Sequence, residues 1–168
     1  MLPASPKTLF AAALIDVLRQ VPQLEPYVYP DPYDMTNQQD LITARATQYG
    51  GCLAVISQGV TNDKLDPSVR DAYLQGDWGV VGIVHQLAWS HGGSVDPAIR
   101  TASDLLDAML SLVIAAVVAW QPVETPYGCP MIVGEEPVQL TGAGWEQTLV
   151  RGIRVRVPLA FPQFSINQ

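Results

Sequence analysis

His85 and His91 are the only histidines in the chain, and a zinc site built on them would need two further close ligands. Cys52 and Cys129 form no CxxC or CxxH pair, so both histidines read as structural and no metal site is expected. No GxSxG elbow surrounds Ser57, Ser90 or Ser94, and neither cysteine has a motif that would supply a base. The stretch TGAGWEQT, Thr141 to Thr148, has the glycines of a phosphate loop but lacks the GK[ST] ending and leads into a strand pattern. It reads as a hairpin turn. Asp31 with Asp34, and Asp104 with Asp107, are carboxylate pairs of the kind that do acid and base work when one member is desolvated. Near the start of a helix, acidic residues more simply complement the helix dipole. No catalytic residue, cofactor site or metal site is expected, and the chain is not read as an enzyme.

The remaining chemistry is positive charge. The stretch TLVRGIRVRVPLAF, Thr148 to Phe161, holds Arg151, Arg154 and Arg156, a third of the nine Lys and Arg residues of the chain. Strand parity puts Arg154 and Arg156 on one face and Arg151 on the other, with Leu149, Ile153, Val155, Val157 and Leu159. Three roles fit such a stripe. It could be the solvated face of an edge strand that discourages unwanted pairing. It could meet acidic surface on a neighbouring subunit. Repeated around a ring, it could form a positive belt facing DNA. Glu135 and Glu136 read as solvated turn charges that could also pair with an arginine across the hairpin.

Composition limits these roles. With 168 residues the chain has the size of one domain, and its net charge of −7 argues against a general nucleic-acid binder. It is 48% apolar and only 15% charged, against about a quarter charged in ordinary domains, so part of its surface should meet a partner. The two cysteines read as buried free thiols of a reducing compartment. The longest apolar run, Ala108 to Trp120, is short of the roughly 20 residues of a membrane span, so no membrane partner is expected. Asp16 and Arg19 interrupt the N-terminal apolar patch, which reads as a helix and not as a signal peptide.

The elements that would position these residues follow from pattern. Ser5 and Pro6 open a helix whose apolar stripe includes Phe10, Leu14, Val17 and Leu18 and which Pro22 closes. Prolines 26, 30 and 32 mark a Pro/Tyr-rich exposed arm or loop at about 22–50, with a short helical stretch behind Thr36. Strands are expected at Cys52 to Val60 and at Trp78 to Trp89, the second in mid-sheet because it is apolar on both faces, with Gly82 at a bulge or close approach. Asp96 and Pro97 should cap a long helix reaching about Trp120, apolar all round after Ser111. Met131 to Leu140 and the arginine stretch close the chain as a hairpin. The expected fold is α+β, with a mixed or antiparallel sheet of about four to five strands packed against the N-terminal helix and one long central helix.

This layout resembles the tail terminator, or tail-completion, proteins of tailed bacteriophages. The echoes are TQYGGCLAVISQG leading into the first strand, GDWGVVGIVHQLAW in the second, DPAIRTASDLLDAML opening the long helix and GWEQTLVRGIRVRVPLAF at the end. The resemblance implies a single tail-terminator-like domain over residues 1–168 and a homo-oligomeric, hexameric ring that caps the tail tube and joins it to the head or neck. It implies a protein made in the host cytoplasm and located in the virion. Its partners would be other copies of itself, the tail tube protein and head-tail connector or neck proteins, with DNA only passing through the channel. Candidate interface residues are Arg151, Arg154, Arg156, Tyr27, Tyr29, Tyr33, Val117, Val118 and Trp120. Other readings remain open: another neck or baseplate component, a motif-free α+β enzyme binding a small molecule, or a module that offers Tyr27 to Tyr33 as a polyproline-like ligand.

Overall fold

A computed structural model describes residues 3–32, 39–61, 73–85, 98–138 and 148–161. Three helices and four strands follow in the order α1 (Pro6–Arg19), α2 (Gln39–Tyr49), β1 (Gly51–Thr61), β2 (Tyr73–His85), α3 (Ala102–Ala119), β3 (Met131–Pro137) and β4 (Thr148–Ala160). The fold is α+β, as expected.

Helix α1 begins where its sequence says it should. The Ser5 hydroxyl accepts from the Thr8 amide at 3.1 Å, and Pro6 sits in the first turn, where its missing N–H costs nothing. Phe10, Leu14 and Leu18 recur at four-residue spacing and are buried with Ala11 and Ile15. Helix α3 starts later than Asp96 and Pro97 suggest; those two residues lie outside the described ones. Its cap is Thr101, whose hydroxyl accepts from the Asp104 amide at 3.1 Å while the Asp104 carboxylate accepts from the Thr101 amide at 2.8 Å. This reciprocal box satisfies two donors that would otherwise be orphaned at a helix start, and Arg100 N–H adds a third bond to the same carboxylate at 3.0 Å.

The sheet is antiparallel throughout, in the order β1-β2-β4-β3. Since β4 lies antiparallel between β2 and β3, those two run parallel to each other, and a parallel pair requires a crossover. Helix α3 is that crossover. It packs with α1 on one face of the sheet, over Val80 and Val84 of β2 and Ile153, Val155, Val157 and Leu159 of β4. On the other face, Ile42 and Ala46 of α2 cover Cys52, Ala54, Val81 and Ile83. β2 is therefore interior, and its stretch Val80 to Val84 is clothed on both faces, which is why that stretch is apolar without alternation.

Two glycines of β2 make this packing possible. At Gly82 a Cβ would stand 2.6 Å from Leu106 Cδ1, so α3 settles directly on the bare backbone. Of the two features anticipated there, close approach is the one found; the bulge of this hairpin lies in β1, between Ser57 and Gly59. At Gly76 a Cβ would stand 2.2 Å from the Trp78 ring, which is wholly buried. A buried indole cannot swing aside, so Gly76→Ala is expected to lower stability by about 1–3 kcal/mol in urea denaturation, the usual cost of overpacking.

The segment expected to be an exposed arm is, over its described residues, folded onto the domain. Leu24, Val28 and Tyr29 are buried, and Tyr29 N–H donates to the Leu53 carbonyl while Leu53 N–H donates to Tyr27, both at 2.8 Å. Prolines 26 and 30 flank this bridge and leave free the amides it uses, so the proline spacing brackets an isolated parallel bridge, Val28 to Leu53, on the β1 edge. The stretch behind Thr36 forms a full helix, α2, which Arg45 ties to the segment by donating to the Pro26 carbonyl at 3.2 Å.

Candidate interaction surface

β4 is an interior strand, so its arginines do not protect a sheet edge. Their parity is as the sequence implies. Arg151 points to the helix face, where it bonds Asp107 and Ser103 of α3 and Glu135 of β3, the last at 3.1 Å. Arg154 and Arg156 point to the opposite face and converge on Asp77 of β2. Arg154 donates to Asp77 Oδ2 at 2.9 Å, and Arg156 donates to Oδ1 and Oδ2 at 2.8 and 3.0 Å. Arg154 also donates to Glu136 at 3.1 Å.

The bulge in β3 makes the glutamate contacts possible. Ile132 pairs with Val155 and Gly134 with Arg154, so Val133 is the extra residue and the parity of the strand flips after it. Glu135 thereby comes to the face of Arg151, and Glu136 to the face of Arg154. The pairing of these glutamates with arginines across the hairpin is realised. Four carboxylates surround the three guanidiniums, so the stripe is not a positive belt. The acidic surface that the arginines meet belongs to their own chain.

Asp77 is 5% exposed, and a carboxylate so deeply placed must be paired to stay charged. The Arg156 hydrogen bond holds its carboxyl below the ordinary carboxylate range; burial opposes this, and Arg154 adds to it. A carboxyl with a depressed folded pKa binds fewer protons folded than unfolded. Its contribution is therefore complete above the unfolded value, about 3.9, and fades as pH falls through the lower folded value. Thermal melts are expected to show stability falling below about pH 4, with a shallower fall in Asp77→Asn.

The remaining candidates separate. Val117 is 1% exposed and belongs to the core, so, against expectation, its side chain is not available to an interface. Val118, its neighbour, is 68% exposed. Trp120 is half-buried, stacked on Phe10 with ring centres 5.5 Å apart. Tyr29 is buried, Tyr27 is half-buried against the core, and Tyr33 lies outside the described residues. Asp104 is engaged in capping and Asp107 in the Arg151 pair.

Several exposed apolar side chains have no counterpart among the sequence candidates, among them Val123, 78% exposed, and Met131 and Val133 of β3. With Val118 these three line the stretch that leaves α3 and enters the outermost strand on one side of the sheet. Gly134 directly after the apolar run Met131 to Val133 was the available signal, because it marks the bulge that leaves Val133 outside the ladder. On the other outermost strand Val60, near the end of β1, is exposed, and so is Tyr49 at the end of α2, just before β1 begins. Among the large exposed apolar residues described, only Leu9 of α1 lies outside these two groups. Helix α3 is long and apolar enough to cross a membrane by length and composition, but Leu105, Leu106, Met109, Leu110, Val113 and Val117 are buried against the sheet and α1.

Both cysteines are free, and Cys129 is exposed, in contrast to the expectation that both are buried. Burial pushes the Cys52 thiol up to about 12, so it has almost no thiolate at neutral pH. Alkylation of the native protein at pH 8 followed by peptide mass mapping is expected to label Cys129 and leave Cys52 unlabelled. Among the described residues no group of His, Cys, Asp and Glu is placed to hold a metal ion. Comparison of the chain with family models, with curated proteins and with solved structures finds no match.

Proposed function

We propose that this chain is a structural subunit that assembles head to tail into a closed ring, as a tail terminator of a tailed bacteriophage does. In that role the ring caps the tail tube and joins the tail to the head or neck, and DNA only passes through it. The observation that carries this reading is the placement of the exposed apolar residues. Val118, Val123, Met131 and Val133 lead into one terminal strand of the sheet, while Val60 is exposed on the other, β1. Different apolar residues at the two edges of one sheet suit a heterologous contact, and a heterologous contact whose rotation closes makes a ring. The low charge content supports the same reading, since apolar surface left on a subunit is buried by its neighbours. Native mass spectrometry of the purified chain, alone and with tail tube protein, tests the proposal. Closed oligomers, alone or on adding the tube protein, are expected; a persistent monomer in both cases refutes it.

A further inference from the structure

We infer that the arginines of β4 form a two-sided ionic lock that fixes the register of β4 against β2. The apolar pattern alone does not fix it. A slip by one residue would turn every core side chain outward, but a slip by two keeps both faces and puts Ile153 or Val157 in the place of Val155 beside Trp78. These side chains are alike in shape and nearly alike in volume, so the core tolerates the exchange.

The charged groups remove this degeneracy. In the native register Arg156 stands opposite Asp77 with Arg154 diagonal to it, and Arg151 stands opposite Gly82. Slipping in one direction puts Pro158 opposite Asp77 and takes Arg154 out of its reach, leaving a buried carboxylate with half its partners. Slipping in the other direction keeps both arginines near Asp77 but carries Arg151 from Gly82 to Val80, under the apolar face of α3. Either slip moves Arg151 along the sheet by roughly 7 Å, two residues of strand rise, and breaks its bonds to Ser103 and Asp107. Because α3 is seated on Gly82 of β2, those partners cannot follow β4. Asp77 thus guards one direction from the outer face, and Arg151 guards both from the helix face.

The test is the pattern of cross-strand NOEs between backbone protons in the double variant Asp77→Asn with Arg151→Met. The parent protein should show Trp78 against Val155 only. The variant should add a second set, Trp78 against Ile153 or Val157. A variant that folds with the native set alone overturns the inference. If it does not fold, a second variant, Asp77→Leu, Arg154→Leu, Arg156→Leu and Arg151→Met, leaves no buried charge uncompensated and is expected to be stable. There too, a second NOE set is expected, and a single native register contradicts the lock.

Discussion

Asp77→Ala is expected to lower unfolding stability by about 3 kcal/mol and the melting midpoint by roughly 6–12 °C, measured by calorimetry at pH 7. Breaking a buried ion pair from one side leaves the opposite charge uncompensated, which costs about 3–5 kcal/mol. The lower end applies because Arg154 and Arg156 keep 32% and 25% of their side chains exposed and can turn partly to water. Arg154 also retains Glu136. Asp77→Asn should lose less, since the amide oxygen still accepts one of the guanidinium bonds. An alanine variant with unchanged stability would mean that the three charges are independently solvated.

Phe10→Ala is expected to cost about 3–5 kcal/mol in urea denaturation and to abolish most of the near-ultraviolet dichroism of the aromatic cluster. Phe10 is wholly buried and joins three other rings: Trp78 at 4.6 Å, Trp120 at 5.5 Å and Tyr127 at 5.3 Å between centres. Those rings come from β2, the end of α3 and the loop before β3. Removing the shared ring therefore loosens α1, the sheet and the α3 terminus together, and leaves a cavity that Trp78, held over Gly76, cannot collapse to fill. Phe10→Leu should recover most of the loss, because it restores volume though not the ring contacts.

Local chemistry was legible where it acts locally. Ser5 followed by Pro6 marked the start of α1, alternation divided Arg151 from Arg154 and Arg156, and the two-sided apolar run marked β2 as interior. Long-range partners were not. Asp77 is 77 residues from Arg154 in sequence, and nothing near it announces that it is buried or that β4 lies beside β2. The same limit explains the supposed arm. Prolines 26 and 30 exclude a helix, but whether the residues between them hang free or pair with Leu53 depends on a strand edge that only the assembled sheet supplies. The start of α3 was misplaced because Asp96 with Pro97 and Thr101 with Asp104 are both sound capping signals, and the reciprocal box is the one seen. Val117 and Val118 part because the apolar end of α3 is not one surface: the helix turn divides it into a buried and an exposed side.

The arginines, for which a subunit contact was one of three roles open on sequence grounds, have partners inside their own chain, and the candidate contact falls on the apolar residues at the two edges. Head-to-tail geometry makes a particular demand on those edges. Val118→Glu should disable the α3 and β3 patch, and Val60→Glu the β1 patch, while neither substitution disturbs the core, because both side chains are exposed. The most direct measurement is the mass of each species in sedimentation velocity, for the parent chain, for each variant and for an equal mixture of the two variants. The parent should sediment as a closed oligomer, each variant alone as a monomer, and the mixture as a dimer that grows no further, since it retains one intact patch of each kind. A parent chain that is monomeric at every concentration, or variants that still close into the parent oligomer, would contradict the account.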